Sequence, residues 1–248
     1  MYNNPKVSII TVSRNAAPFI ERTIQSVLEQ SYKPVEYIVI DGASADGTVD
    51  IIKKYEHELH HWESAPDKSH FDAMNKGLAQ ATGAYVLFMN AGDKIANPHA
   101  LKNMMEGHAD ADLIYGRALY TDEFRATRPW HKETPLPGHL SDRSFLNGMV
   151  ICHHCMVVKT SIAPPYQLGP WKIANDIDWA IRVMKNVRSA HFNDDVFCLY
   201  LEGGLSAKHR LQAVRERFSI CVKHFGLVPT IGQQFKILFE IIKRRRIS

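Results

Sequence analysis

Over its first 120 residues the chain alternates short apolar runs of strand length with helical patterns, and this limits the folds open to it. Val7-Ser8-Ile9-Ile10-Thr11-Val12 is rich in β-branched residues and ends at a polar turn, as a buried strand does. Tyr37-Ile38-Val39-Ile40, Tyr85-Val86-Leu87-Phe88-Met89 and Asp112-Leu113-Ile114-Tyr115 read the same way. Between the first two, Phe19, Ile20, Thr23, Ile24, Val27 and Leu28 recur at three- and four-residue steps, the spacing of one helix face. Ser44-Ala45-Asp46-Gly47-Thr48 opens a further helix toward Tyr55, with Ser44 or Asp46 as its cap. Strand–helix–strand alternation with short connections implies an α/β fold, a mostly parallel sheet with helices on both faces. Ligands of such sheets bind beyond the carboxyl ends of the strands. Attention therefore falls on Ser13-Arg14-Asn15, Asp41-Gly42 and Asn90-Ala91-Gly92-Asp93.

Length and composition bound the rest. The 248 residues, 45% hydrophobic, suffice for one sizeable domain, expected over 1–225, with a helical tail over 226–248. Four cysteines make no disulfide framework in a chain this long, and no apolar run reaches the length of a bilayer. The N-terminus also lacks the pattern of a secretory signal, so a cytoplasmic, reducing setting is expected. Residues 123–148 carry three prolines and little periodicity and read as loops over one side of the site. In the tail, Phe235, Leu238, Phe239 and Ile242 mark one side of an amphipathic helix that runs into Lys243-Arg244-Arg245-Arg246. Such a helix suits peripheral contact with an anionic inner-membrane face; the alternative is a helix packed on the domain with a solvated end. The formal net charge is only +4, and no nucleic-acid partner is expected.

Several constellations carry chemistry. Asp41, at the end of its strand, is placed to accept from a nucleobase edge, with Thr11 expected beside it; it equally suits the turn's own backbone donors. Around the helix start at 65–77, Asp67 and Lys68 are placed to grip base and phosphate near a favourable helix dipole, with Asn75 further along; an ordinary capped helix fits as well. Asp93 is either a turn aspartate or a hard-oxygen ligand for magnesium or manganese against a diphosphate. Asn175-Asp176-Ile177-Asp178 opens a helical pattern, so Asp176 is a general base or a helix cap. Cys152-His153-His154-Cys155 is not expected to hold zinc, because four adjacent residues cannot wrap a tetrahedral ion. As a strand it would point His153 and Cys155 to one side and His154 to the other.

Taken in order, VSIITVSRN, YIVIDGASADGT, APDKSHFDAMNKG, LFMNAGD, ICHH, NDIDW and EGGLS resemble glycosyltransferase family 2, inverting enzymes of the GT-A fold. These stretches span roughly residues 6–206. The likeness is nearest to the subgroup that builds bacterial capsule, exopolysaccharide and O-antigen, including colanic-acid-type transferases. It implies a nucleotide-sugar donor, with UDP the expected carrier by family frequency, and a lipid-linked or free glycan acceptor. By position, Thr11, Asp41 and Asp67 would contact base or ribose, with Asn15, Lys68 and Asn75 assisting. Asp93 would hold a divalent cation (Mn2+ or Mg2+) and Asp176 would be the catalytic base. His153 and Asp178 would line the acceptor side, and Gly203-Gly204 would lie near the phosphates.

Three departures qualify the likeness. The metal motif reads Ala91-Gly92-Asp93, with one acid where two are familiar, so Asn90 or His209 is the candidate further ligand. The base motif reads Asn175-Asp176 where Glu-Asp is frequent, and His154 stands where glutamine is common. A nicotinamide-dependent oxidoreductase is excluded by the absence of glycine in Ser13-Arg14-Asn15-Ala16-Ala17. A nucleotidyltransferase would show a glycine-rich basic loop near the N-terminus, which is missing. A non-catalytic nucleotide-sugar-binding or assembly protein is the remaining alternative.

Overall fold

A computed structural model of the chain describes residues 4–122, 126–130 and 140–245, the side chains of 126, 127 and 237–245 excepted. The elements follow in order: β1 (Val7–Ser13), α1 (Ile20–Leu28), β2 (Val35–Asp41), α2 (Thr48–Lys54), β3 (His61–Ser64), α3 (His70–Gln80), β4 (Tyr85–Phe88), β5 (Lys94–Ile95) and α4 (Ala100–Met105). Then come β6 (Leu113–Thr121), β7 (Ala126–Pro129), β8 (Met156–Lys159), α5 (Asn175–Met184), β9 (Ala190–Leu201), α6 (Leu205–Lys208), α7 (Arg210–Phe225) and α8 (Leu227–Arg245).

Among the described residues the strands form one sheet in the order β3-β2-β1-β4-β8-β6-β9-β5, with β7 added to β6. The four strands from β3 to β4 are parallel, as the alternating sequence expects. Beyond them β8 runs antiparallel to both β4 and β6, β9 is parallel to β6, and β5 is antiparallel to β9. The second half of the sheet is thus mixed.

All seven residues of β1 are buried because the sheet is covered on both faces. Val7 and Ile9 point into a core with Ile20, Ile24 and Val27 of α1 and Leu101 and Met104 of α4. Ile10 and Val12 point the other way, toward Ala73 and Met74 of α3, Trp179 and Ile181 of α5, and Ile220 of α7. Gly77 allows α3 to lie this close, since a Cβ there would stand 2.4 Å from Ile10 Cγ2. Ser69 caps α3 by accepting from Asp72 N at 3.2 Å, while Asp72 Oδ2 accepts from Lys68 N at 3.0 Å.

Three local expectations change. The register sets Ser13, not Thr11, opposite Asp41; Thr11 faces Val39, one pleat deeper. Residues 152–155 do not form a strand: His153–Cys155 is a 3-10 turn, closed by Cys155 N donating to Cys152 O at 2.8 Å. The stretch 123–148 includes β7 and a 3-10 helix at Asp142–Asn147, and its residues 123–125 and 131–139 lie outside the described residues. In the tail, α8 runs to Arg245, and residues 246–248, with the last arginine of the basic cluster, lie outside. No described helix is long and apolar enough to cross a membrane.

Candidate active site

The ends of β1 and β4, the start of α3, the turn at 153–155, the start of α5 and the segment 200–208 enclose a cavity of about 710 Å³. That is ample for a ligand of nucleotide size, given that such pockets run from about 300 to 1,000 Å³. It lies beyond the carboxyl ends of the parallel strands, where a sheet of this kind leaves its crevice.

Asp176 enters this cavity from the first turn of α5. The helix is fixed behind it by Trp179, whose indole donates to Pro164 O at 2.7 Å and stacks on Tyr166 with ring centroids 5.3 Å apart. The approach to the helix is held by Glu216 of α7, whose carboxylate accepts from Lys172 N, Ile173 N and Ala174 N at 3.0, 2.8 and 2.9 Å. Burial pushes the Asp176 carboxyl up to about 6, an effect the donor Ile177 N, 3.0 Å from Oδ1, offsets only in part. His153 stands beside it, Nδ1 to Oδ2 3.8 Å, and burial together with the neighbouring His154 holds this imidazole in its neutral form. A carboxylate that is basic near neutral pH, beside a neutral imidazole in a crevice, can take a proton from an incoming hydroxyl.

Asp93 lies at the cavity wall and is nearly buried. Its Oδ1 accepts from Leu201 N at 2.7 Å and its Oδ2 lies 2.8 Å from His154 Nδ1. Burial alone would lower the His154 imidazole, but the Asp93 carboxylate outweighs it and raises the group to about 10. Asn90, also on the cavity, keeps a buried Oδ1 with no hydrogen-bond partner among the described residues. A carboxylate and an unpartnered amide oxygen on the same cavity are donors of the kind hard divalent cations take.

Of the remaining residues expected from the sequence, Asn15 and Asp67 line the cavity, as does the loop Gly203-Gly204. Asn15 sits at φ 49°, a conformation its side chain tolerates, and its Oδ1 accepts from Ala45 N at 3.1 Å. Asp67 is already paired with Lys76. Six others lie off the cavity. Thr11 is buried against the Tyr37 hydroxyl at 3.0 Å. Asp41 is enclosed by Ser13 Oγ at 2.9 Å, Ser64 Oγ at 2.7 Å and Ser44 N at 2.8 Å, which fits its reading as a turn residue. Lys68 is exposed beside the start of α3, and Asn75 exchanges two hydrogen bonds with the Tyr166 backbone. His209 is an exposed residue at the α6–α7 junction. Asp178 is fully buried among Arg182 Nε at 2.7 Å, His224 Nε2 at 2.8 Å and Lys223 Nζ at 3.0 Å.

Arg14, from the turn after β1 that the strand ends mark out, lines the cavity, and so do four residues to which the sequence assigns no role: His70, Asp122, Glu202 and Lys208. Two of them carry a signal, because Glu202 opens the EGGLS stretch and Lys208 closes the short helix after it. Glu216 carries none, sitting between Arg215 and Arg217 in a short charged run.

The chain belongs to glycosyl transferase family 2, whose family model matches residues 8–163. It is 42% identical over 157 residues to the putative teichuronic acid biosynthesis glycosyltransferase TuaG of Bacillus subtilis, covering 62% of each chain. An uncharacterized glycosyltransferase of Mycobacterium tuberculosis is 33% identical over 162 residues, covering 62% of this chain; this chain spans 58% of that relative's length. Among solved structures the fold matches S. aureus TarS in complex with UDP, with a TM-score of 0.62 at 19% identity over 88% of this chain and 65% of that one. It also matches the Pyrobaculum calidifontis mannosyltransferase PcManGT in complex with GDP-Man and Mn2+, with a TM-score of 0.64 at 20% identity over 90% and 65%. The GT-A architecture expected from the motifs is the one observed.

The Asp178 cluster generates a prediction. Burial would raise this carboxyl, but hydrogen bonds from His224, Arg182 and Lys223 outweigh that and hold it far below the ordinary range. Removing one partner from a buried ion network costs about 3–5 kcal/mol, and the part-exposed Lys223 puts this one at the lower end. Asp178→Asn is therefore expected to lose about 3 kcal/mol of stability in urea denaturation at neutral pH. A group with a depressed folded value contributes above its unfolded value, about 3.9, so the gap between wild type and variant narrows as pH falls below about 4. A gap that is small at neutral pH, or constant through this range, would contradict the assignment.

Proposed function

We propose that this chain is an inverting glycosyltransferase. It moves a sugar from a nucleoside-diphosphate donor, UDP being the carrier we favour, to a hydroxyl of a glycan or lipid-linked oligosaccharide in polysaccharide biosynthesis. The observation that carries the reading is Asp176, a buried carboxyl with a raised proton affinity at the wall of a cavity of about 710 Å³. Its place in a bacterial polysaccharide pathway is supported by the likeness to TuaG, whose name assigns that relative to teichuronic acid biosynthesis.

In this mechanism Asp176 removes the proton of the acceptor hydroxyl as its oxygen attacks the anomeric carbon from the face opposite the departing diphosphate. One displacement of this kind inverts the configuration. Arg14 and Lys208, cationic side chains on the cavity, meet the phosphates, and the Gly203-Gly204 loop lets the backbone approach them closely. Asn15 and Asp67 bound the side where the nucleoside would lie. Asp93 and Asn90 fit a divalent cation, manganese or magnesium, which when bound neutralises charge on the leaving diphosphate. Asp178 and His209 have no direct part.

Asp176→Asn is expected to keep donor binding and lower kcat by a factor of about 100 or more. Because the ionised form is the active one, wild-type kcat is expected to fall as pH drops through about 6, where an ordinary aspartate would hold to about 4. Unchanged turnover in Asp176→Asn, or an acid limb near 4, would move the base elsewhere.

The cation reading has its own measurement, independent of turnover. UDP is expected to raise the melting temperature, manganese to add to that shift, and Asp93→Asn to remove the added part while keeping the UDP shift. An identical manganese increment in the variant would take Asp93 out of the site.

The tail bears on the acceptor. Leu211, Val214 and Phe218 are exposed along α7, and Leu227, Val228, Ile231 and Phe235 along α8, ahead of the basic residues 243–246. This apolar face with a cationic end suits the surface of an anionic membrane, where a lipid-linked acceptor would sit. At about 1 kcal/mol for each basic residue near such a surface, deletion of residues 243–248 is expected to weaken sedimentation with anionic vesicles about ten-fold or more. Equal binding by the shortened chain would refute the membrane contact.

A further inference from the structure

Three of the four cysteines meet in one place. The turn closed between Cys152 and Cys155 brings the two ends of a C-x-x-C pair together, and Cys198 of β9 joins them. All three are buried, and their sulfurs lie within 4.8 Å of one another. Four adjacent residues cannot wrap one ion, but the fold supplies a third thiol from 43 residues further along the chain, on another strand. Sulfurs bound to one tetrahedral zinc at about 2.3 Å stand about 3.8 Å apart, a separation this cluster accommodates.

His154, within the same turn, lines the cavity, and its Nδ1 lies 2.8 Å from Asp93 Oδ2, so this ring serves the cavity wall and the sulfur cluster stands apart from it. The proposed transfer chemistry uses none of the three thiols.

We propose that Cys152, Cys155 and Cys198 form a binding site for a thiophilic divalent ion of the zinc class. Sulfur donors select zinc over the hard cations that suit Asp93 and Asn90, so the two metals would not compete. Binding displaces the protons of the thiols into solvent. None of the three thiols lines the cavity, so the role of the ion is structural. It locks the turn that carries His153 and His154 to the cavity and ties it to β9.

The test uses the untagged full chain, purified with reductant and without chelator. Elemental analysis is expected to find about one zinc per chain, the stoichiometry of a single site. After chelation, cobalt titration of the wild-type protein is expected to produce the near-ultraviolet thiolate-to-cobalt charge-transfer band. Cys198→Ala is expected to abolish that band and the bound zinc. Cys221→Ala is expected to keep both, since Cys221 lies apart from the cluster, its Sγ 3.8 Å from Phe145 O. Should Cys198→Ala not fold, the wild-type zinc content and cobalt spectrum decide the matter. A zinc-free wild type without the band overturns the proposal, as does a band that survives in Cys198→Ala.

Discussion

The cavity depends on how Asp93 is held. Its residue follows β4, in the parallel half of the sheet, yet its carboxylate accepts from Leu201 N at the end of β9 and meets His154 from the turn before β8. Its own carbonyl accepts from Thr23 Oγ1 of α1 at 2.7 Å, and the same hydroxyl accepts from Gly92 N at 3.0 Å. One side chain with its backbone thereby joins α1, β4, the 153–155 turn and β9. A carboxylate this buried requires such partners, because an unpaired charge away from water is strongly unfavourable. The constraint runs both ways: the burial demands the partners, and the partners bring the walls of the cavity together.

The parallel half of the fold is legible in the sequence because its signals are local. Val7–Ser13, Val35–Asp41 and Tyr85–Phe88 are largely apolar runs, as strands covered on both faces must be. The mixed half is not. β9 carries Asn193, Asp194 and Asp195 along a partly exposed stretch, and its pairing with β6 crosses roughly eighty residues, for which no local pattern exists. Thr11 shows a finer limit. The strand is evident from its residues, but which of them stands beside Asp41 depends on the register with β2, and the register sets Ser13 there.

Helix geometry explains the contrast between the two acids of α5. At about 100° per residue, positions two apart lie about 200° round the helix, on nearly opposite sides. Asp176 therefore faces the cavity while Asp178 turns toward α7, where Lys223 and His224, with Arg182 of α5 itself, enclose it. A motif reading that treats NDID as one acidic unit does not separate them, although the periodicity alone does so once α5 is known to begin at Asn175. Glu216 is the harder case. Its role rests on three backbone amides in the segment before α5, far back in the sequence, and no property of α7 by itself marks this glutamate as turned inward.

The charges around the cavity show why a diphosphate can enter a crevice with acids on several walls. Asp67 is paired with Lys76, Glu202 with Arg128 at 2.9 Å, and Asp93 with His154. Desolvation of Asp176 raises its proton affinity, so that part of its charge is already suppressed near neutral pH. Arg14 and Lys208 face the cavity, where their charge can meet phosphate oxygens. These acids are thus balanced largely by residues on neighbouring elements, while the cations face inward. The same arrangement singles out Asp176 for proton transfer. Burial raises the proton affinity of Asp93 as well, but His154 beside that carboxylate works against the rise. Asp67 and Glu202 also have basic partners, whereas among the described residues the side chain paired with Asp176 is a neutral imidazole, and Asp176 keeps its basicity for an incoming hydroxyl.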